Sequence, residues 1–419
     1  MAFKRNTILI LGNGFDLAHD LPTKYSHFLM FCKNVEKIWH CFISEDDNAK
    51  AQTLAMYNGW ETDKVIKDAV VTAFENRKIT LNSEGKKEII SDNKELAEIH
   101  NLLDDNIWYA YLMHLYVLNS VKGENWIDFE SEIRFIIKEV DEYSPSLTYH
   151  WDEMMNKAIN LSEEPPKWRI FNQKIWTDKY KQKKGWGENY KITVKDFREK
   201  AFEDLERLTR ALEIYLTAFV EKIKTEKRIS VIDRLTPDYV INFNYTDTYE
   251  RIYGKGKVYH IHGKADLHHS VENNNMVLGI DEYWIGDEQN EKTNFTIFKK
   301  FAQRIQKHTG NDSYRYIAEI QKLFMGKKTW TGNVDMTKTH PDGVSEVYVF
   351  GHSLDVTDKD ILSSFIGDDA TSVTIYCMDK GTEGELIANT IKLITEKRLL
   401  EKANYVPPKL EYVIPPKEQ

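Results

Sequence analysis

Residues 7–11, with the sequence TILIL, form a short, continuously apolar run rich in β-branched side chains. Such a run predicts a strand buried on both faces of a parallel sheet. Gly12-Asn13-Gly14 follows at once, and Asp16 comes two residues later. A glycine pair after a buried strand allows the backbone to approach a phosphate closely, but it also serves as a plain tight turn. Residues 7–16 therefore predict the first βα unit of an α/β fold.

The remaining strands are predicted in the second half of the chain, at residues 238–245, 257–263, 276–280, 346–351 and 372–379. The region between is mainly helical, most clearly at 197–227, where apolar residues recur at intervals of three and four. The proline- and lysine-containing stretch 143–190 is expected to be a surface excursion. We predict a Rossmann-like parallel sheet flanked by helices and interrupted by a large, mostly helical insertion. Residues 1–45 and 231–419, the latter with an extended tail, form the α/β domain, and 46–230 form the insertion.

Composition narrows the class of protein. The chain has 419 residues, 41% of them apolar and 29% charged, which fits a soluble protein with a sizeable core. The net charge of −9 argues against a dedicated nucleic-acid partner. Three cysteines are too few for a disulfide framework or a four-thiolate zinc site. No segment resembles a signal peptide or a membrane span, so we expect a cytoplasmic protein without membrane attachment.

Two asparagines follow a predicted strand, in the sequence NFNYTDTYE at 242–250. Asn242 and Asn244 alternate with apolar residues, so both are expected on one face of the strand. An amide both donates and accepts, which suits it to hold a ribose hydroxyl or an attacking water. The alternative is a cap on the next helix, with Thr246 or Asp247 as the capping residue.

The sequence HIHG places His260 and His262 in alternation before a glycine. The alternation predicts both rings on the same side of a strand. A histidine at a strand end is suited to proton transfer near neutral pH. A metal pair completed by Asp266, His268 or His269, and a purely structural histidine, are the alternatives.

Two further clusters carry weaker signals. In FGHSLDVTDKD, at 350–360, Asp355 replaces the second glycine of a nucleophile elbow, so Ser353 is not expected to be a hydrolase nucleophile. Ser353 can instead contact a ribose or phosphate, or cap a helix. In WIDFE, Asp128 and Glu130 are about 200° apart at helical spacing, so we do not expect both in one pocket.

Six stretches together resemble the AbiH family of bacterial abortive-infection proteins. They occur in order between residues 12 and 362: GNGFDLAHDLPTKYSHFL, WIDFE, INFNYTDTYE, VYHIHG, LGID and VFGHSLDVTDKDIL. This resemblance implies a protein of phage defence that responds to a phage-encoded trigger. Because such a toxin must be restrained, we expect the 46–230 insertion to gate the pocket or to form contacts in a homo-oligomer.

The AbiH pattern is in turn similar to the sirtuin-like NAD-binding domains. That similarity implies NAD as ligand or substrate, with no metal. The implied cofactor-binding residues are Gly12, Asn13, Gly14, Asp16, Gly351 and Ser353. The implied catalytic residues are His262, Asn244 and Asp247. The zinc ribbon of the protein deacylases is absent, so we do not expect protein deacetylation.

This resemblance implies hydrolysis of NAD⁺ to nicotinamide and ADP-ribose. In that reaction His262 activates a water or a ribose hydroxyl, Asn244 positions the water, and Asp16 or Asp247 holds ribose hydroxyls. The alternatives are a non-catalytic sensor of NAD or ADP-ribose that signals through the insertion, and a metal-dependent hydrolase built on the histidines.

Overall fold

The computed structural model describes residues 6–43, 64–75, 78–81, 87–90, 94–122, 127–161, 166–310, 345–369 and 371–415. Eight strands are present in these ranges: β1 (Asn6–Leu11), β2 (Lys78–Leu81), β3 (Lys87–Ile90), β4 (Tyr239–Asn242), β5 (Lys257–His260), β6 (Ser345–Phe350), β7 (Thr371–Tyr376) and β8 (Leu410–Val413). Strands β2 and β3 form a separate antiparallel hairpin. The other six form one sheet in the order β5-β4-β1-β6-β7-β8, and all its neighbours are parallel. The predicted Rossmann-like sheet is confirmed.

One predicted strand is wrong. Residues 276–280 form no strand, and among the described residues Ile280 makes one isolated parallel bridge, to Lys299. Met276, Leu278 and Ile280 are instead buried in the helical core. The backbone of this segment is bound by a side chain rather than by a neighbouring strand at Leu278, where the Gln303 amide donates to the carbonyl oxygen at 3.0 Å. An apolar run of this length does not distinguish a strand from a buried irregular segment.

Alternate residues of β1 face the two sides of the sheet. Ile8 and Ile10 pack in one core with the helices of the C-terminal region, and Leu9 and Leu11 pack in another with Phe15. All four strand residues are fully buried. A strand covered on both faces reads as a continuous apolar run, which is why TILIL lacks alternation.

Helices cover both faces of the sheet and form a separate body between β1 and β4. In chain order they are α1 (Asn13–Ala18), α2 (Tyr25–Ile43), α3 (Lys64–Glu75), α4 (Lys94–Leu103), α5 (Ile107–Val121), α6 (Phe129–Tyr143), α7 (Trp151–Leu161), α8 (Pro166–Ile175), α9 (Asp178–Lys183), α10 (Val194–Ile214), α11 (Ser230–Asp233), α12 (Thr248–Ile252), α13 (Glu288–Glu291), α14 (Lys300–Gln306), α15 (Lys359–Ile366), α16 (Lys380–Ile394) and α17 (Glu396–Ala403). No helix in the described ranges is long and apolar enough to cross a membrane.

The expectation of a surface excursion at 143–190 is wrong. Trp151, Phe171 and Ile175 from α7 and α8 are buried against the rest of the helical body. Trp151 packs at 4.9 Å from the ring of Phe197 in α10. Lys157 and Lys174 lie within α7 and α8 themselves, so a high lysine content does not exclude a buried apolar face on the same helix.

The long helix predicted at 197–227 is present, but its end departs from α-helical geometry. Helix α10 ends at Ile214 and continues as a π-helical turn over Tyr215–Phe219 and a 3₁₀ turn over Val220–Lys222. Single π-turns are frequent near functional sites. Leu212 and Leu216, on either side of this transition, line the cavity described next.

Candidate functional site

A cavity of about 540 Å³ lies at the carboxyl ends of β1, β4 and β6. Counted within the main sheet, the strand order is 3-2-1-4-5-6, and the direction of winding reverses between β1 and β6. Ligands of open parallel sheets bind in the crevice at such a reversal. The volume falls within the usual range for small-molecule sites, roughly 300–1,000 Å³. The cavity is therefore the candidate functional site.

The two glycine-containing loops that flank the reversal pack backbone against backbone. The Gly14 amide donates to the Gly351 carbonyl oxygen at 2.8 Å, and the Gly12 amide donates to the Phe350 carbonyl oxygen at 3.2 Å. A Cβ added at Gly14 would lie 2.7 Å from the Gly351 Cα. Gly351 has a φ of +69°, which a side chain would strain. Gly12, Gly14 and Gly351 all line the cavity, but the first two use their amides to join the loops.

Asp16 in α1 lies in the cavity wall and is almost fully buried. Its Oδ2 accepts a hydrogen bond from the Thr246 hydroxyl at 2.6 Å. Its Oδ1 has no hydrogen-bond partner within the described residues. Burial raises the pKa of this carboxyl to about 6, against the opposing effect of the Thr246 hydrogen bond. A buried carboxylate oxygen without a donor is costly unless a ligand supplies one.

Asn244 lines the cavity, whereas Asn242 is not part of its lining. The chain leaves β4 at Asn242, and its Oδ1 accepts from the Asn244 amide at 3.0 Å. The Asn244 side-chain amide then donates to the Gly12 carbonyl oxygen at 3.1 Å. The expectation that both side chains share a face is wrong, because the strand ends between them. Asn242 shapes the turn, and Asn244 joins it to the glycine loop.

His262 also lines the cavity and is 5% exposed. Its Nε2 lies 3.0 Å from Asp358 Oδ1, and its Nδ1 has no hydrogen-bond partner within the described part of the chain. Because a carboxylate only accepts, Asp358 holds the proton on Nε2 and leaves a lone pair on Nδ1. Burial lowers the pKa of His262, so the ring is neutral near pH 7. A neutral imidazole oriented by a carboxylate is suited to accept a proton.

Lys300 and Glu130 extend the His262–Asp358 pair through further ion pairs in the cavity wall. Lys300 Nζ lies 3.0 Å from Asp358 Oδ1 and 2.8 Å from Glu130 Oε2. Although burial opposes it, Lys300 holds the pKa of Asp358 well below its ordinary value, while burial raises the pKa of Glu130 to about 7. Asp128 and Glu130 both line the cavity, so the expectation that they diverge is wrong. Asp128 is the extended N-cap of α6, with φ −108°, so helical spacing does not apply to it.

His352 is a second neutral histidine in the wall. Its Nδ1 accepts from the Leu354 amide at 2.9 Å, and burial lowers its pKa to about 4. Its ring lies 4.4 Å from that of Phe243. The neighbouring Ser353 is exposed at the mouth, where its carbonyl oxygen accepts from the Asn389 amide at 2.9 Å. Asn13, at the same mouth, accepts from the Thr23 hydroxyl at 2.6 Å.

The structure does not bring Asp247 or His260 to the cavity lining. Asp247 Oδ1 lies 2.6 Å from Arg251 Nε. His260 is the last residue of β5, and its Nε2 lies 2.7 Å from Glu250 Oε1. The expectation that His260 and His262 share one side of a strand is wrong, because the strand ends at the first of them. His269 is paired with a different acid, since its Nδ1 lies 2.6 Å from Glu213 Oε1.

Of the predicted site residues, the structure brings eight into one cavity: Gly12, Asn13, Gly14, Asp16, Asn244, His262, Gly351 and Ser353. Sequence reasoning missed the roles of Asp358, Lys300 and His352. Asp358 and His352 lie within the quoted VFGHSLDVTDKDIL stretch, but nothing there separates a buried acid from a helix cap. Lys300 stands beside Lys299 in a segment without any recognisable pattern.

The comparisons with known proteins give one match. A family profile described as bacteriophage abortive infection AbiH matches residues 8–378, which include most of β1 and all of β7 as well as every residue of the cavity wall discussed above except Asn389. No curated protein and no solved structure matches the chain. Since the profile covers far more than half of the 419 residues, the chain belongs to the AbiH family of bacteriophage abortive-infection proteins.

Proposed function

We propose that the cavity binds NAD⁺ and that the protein hydrolyses it to nicotinamide and ADP-ribose in defence against phage. One observation carries the proposal: His262, neutral and oriented by Asp358, shares a cavity at the sheet reversal with Asn244. The family supplies the link to abortive infection. The location supports a nucleotide, because open α/β sheets bind nucleotides at this point.

The charge of the wall supports a substrate whose reacting part is cationic. Five acids line the cavity, Asp16, Asp128, Glu130, Asp355 and Asp358, against two lysines, Lys24 and Lys300. Lys300 is itself paired with two of the acids. The pyridinium ring of NAD⁺ is positively charged, and cleavage of its N-glycosidic bond passes through an oxocarbenium-like state. Fixed carboxylates stabilise such developing positive charge.

The distribution of charge in the cavity wall predicts the orientation of the bound ligand. We place the nicotinamide riboside in the acidic interior and the pyrophosphate at the mouth, beside exposed Lys24. The amides of Gly12 and Gly14 are occupied by the neighbouring loop, so the phosphates depend on side chains at the mouth. Asp16 Oδ1, which is covered by protein and has no donor among the described residues, accepts from a ribose hydroxyl once the wall moves aside.

Hydrolysis forms a bond between the water oxygen and the anomeric carbon and breaks the bond from that carbon to nicotinamide nitrogen. The electron pair of the broken bond neutralises the pyridinium. The proton released by the water moves to His262 Nδ1, the ring nitrogen that has no partner among the described residues. Asn244, anchored on Gly12, positions the water. Proton transfer of this kind contributes typically 10²–10⁴-fold to the rate.

The second candidate is a sensor that binds NAD or ADP-ribose without cleaving it. It is favoured by the position of His262 Nδ1, which is covered by protein as well as unpartnered. A water reaches this nitrogen only after the wall moves. In the sensor, ligand binding shifts the wall and the helical body transmits the change to a partner. The phage trigger and the homo-oligomer remain predictions under either function.

Calorimetric titration of the whole protein with NAD⁺ and with ADP-ribose, followed by chromatography of the NAD⁺ sample, separates the two candidates. The hydrolase predicts heat from NAD⁺ together with nicotinamide in the sample. The sensor predicts saturable binding with NAD⁺ recovered intact. Asn244→Ala is expected to lower nicotinamide release without abolishing binding. Absence of binding to either nucleotide would refute both candidates.

A further inference from the structure

Four charged or titratable side chains form a continuous chain of ion pairs across the cavity wall. Glu130 Oε2 lies 2.8 Å from Lys300 Nζ, which lies 3.0 Å from Asp358 Oδ1. The same oxygen of Asp358 lies 3.0 Å from His262 Nε2. The side chains of Lys300 and His262 are only 4% and 6% exposed, so bulk water screens their interaction weakly.

The four residues of this chain of ion pairs come from separate parts of the fold. Glu130 lies in the first turn of α6, within the helical body. Lys300 is the first residue of α14, and Asp358 precedes α15. His262 follows β5. The chain of ion pairs therefore connects the helical body to a histidine at the end of the sheet.

Lys300 and His262 compete for one oxygen atom. Since each nitrogen is 3.0 Å from Asp358 Oδ1, the two nitrogens are no more than twice that distance apart. A positive charge this close disfavours protonation of the imidazole, whereas the carboxylate favours it. Lys300 also donates to the Thr357 hydroxyl at 3.2 Å, which fixes its position.

We propose that Lys300 is a positioning residue that sets the ionisation of the His262–Asp358 pair, and that Glu130 ties it to the helical body. Lys300 holds Asp358 ionised and adds to the effect of burial in disfavouring protonation of His262. Its consequence for catalysis rests on the proposed hydrolase, but its effect on the histidine does not. Movement of α6 that separates Glu130 from Lys300 then alters the histidine directly.

Other charged, titratable and aromatic groups lie near His262. His352 Nε2 lies 3.7 Å from Asp358 Oδ2, and burial keeps that ring neutral by lowering its pKa to about 4. Arg304, also on α14, lowers the pKa of His262 and is paired with Asp360. From the end of β4 the uncharged Phe243 ring lies 5.3 Å from the His262 ring. Asp16, Asp128 and Asp355 complete the acids of the wall.

The test is a pH titration of the His262 ring by NMR in the whole protein labelled with ¹³C-histidine. The resonance is assigned by its loss in His262→Asn. We expect Lys300→Met to raise the pKa of His262 by roughly one unit, the usual size for a buried charge within about 6 Å. Lys300→Gln, which keeps a donor for Thr357, is expected to give the same shift if Lys300→Met does not fold.

Lys299→Met is the matched control. Lys299 is adjacent, its side chain is 2% exposed, and it is paired with Glu282 at 2.7 Å. Its replacement should leave the His262 titration within about 0.2 units of the parent, because it lies outside the chain of ion pairs. A shift below about 0.2 units in both Lys300 variants would overturn the proposal.

The catalytic consequence is measured separately. If the protein hydrolyses NAD⁺, the acid limb of the kcat profile in Lys300→Met should move to higher pH by the same amount as the NMR titration, with KM changed less than about twofold. A histidine shift without any hydrolysis in the parent protein would leave the role of Lys300 intact and contradict the hydrolase. An unmoved acid limb in an active variant would contradict the role of Lys300 in catalysis.

Discussion

Replacement of Asp16 by asparagine tests whether the cavity keeps a buried carboxyl at a cost to folding. Burial raises the pKa of Asp16 from 3.8 to about 6 in the folded protein. Between these values the folded state holds a proton that the unfolded state has lost. Stability therefore falls as pH rises through this window and levels off above the folded pKa.

The magnitude follows from the shift. A difference of about 2.2 pKa units, from 3.8 to about 6, corresponds to roughly 3 kcal/mol at 1.36 kcal/mol per unit. Asparagine keeps an oxygen that accepts from the Thr246 hydroxyl, but its amide takes the place of Oδ1, which has no partner. Since that unpaired amide affects stability equally at every pH, the change with pH is the quantity that isolates the carboxyl.

The assay is urea unfolding of the parent and Asp16→Asn between pH 4 and pH 7.5. Because about 0.6 kcal/mol of this total is already lost at pH 4, we expect the variant to gain about 2.4 kcal/mol relative to the parent between pH 4 and pH 7.5. Asp20→Asn is the control, because Asp20 is 77% exposed in an ion pair with Lys227. Its difference from the parent should stay within about 0.5 kcal/mol. A pH-independent difference for Asp16→Asn would refute the assignment of a buried, raised-pKa carboxyl.

Three further changes test other parts of the site. Gly14→Ala should lower the free energy of unfolding by about 2 kcal/mol in urea, because its Cβ would lie 2.7 Å from the Gly351 Cα. Gly187→Ala, which meets nothing within 4 Å, should change it by less than about 0.5 kcal/mol; equal effects would contradict the close packing of the loops. Asp358→Asn should cost about 3 kcal/mol at pH 7 by the same method, since it removes the charge shared by Lys300 and His262; an unchanged stability would mean that the ion pairs are absent. Lys24→Met should raise the Kd for NAD⁺ about tenfold by calorimetry, the loss of one charge-assisted contact, while Lys37→Met in α2, the helix that begins just after Lys24, should not; equal Kd values would remove the pyrophosphate from the mouth.

The sheet could be predicted because its strands carry their own signal. The apolar run at residues 7–11 is buried on both faces, and the runs at 346–351 and 372–379 appear as β6, which pairs with β1, and β7, which pairs with β6. The sequence predicts an extended tail at 407–419; residues 416–419 lie outside the described residues, and Leu410–Val413 forms the edge strand β8. Local patterns of this kind survive because strand burial imposes them residue by residue.

The wall of the cavity could be predicted only in part, because its charged members depend on contacts distant in sequence. Lys300 and Glu130 are 2.8 Å apart in space and belong to different helices. Asp128 reaches the cavity because α6 begins after it, and helix ends are the boundaries that sequence patterns locate least well. By contrast His262 and Asn244 follow strands, and strand ends meet at one edge of a parallel sheet.

The central claim is that the His262 pair cleaves NAD⁺ in this cavity. The most direct measurement is chromatography of NAD⁺ incubated with the whole protein, with His262→Asn, and with His268→Asn as an exposed histidine nearby in sequence. We predict nicotinamide and ADP-ribose in equal amounts from the parent and from His268→Asn, and at least a hundredfold less from His262→Asn. Equal release of nicotinamide by His262→Asn and the parent would contradict the account.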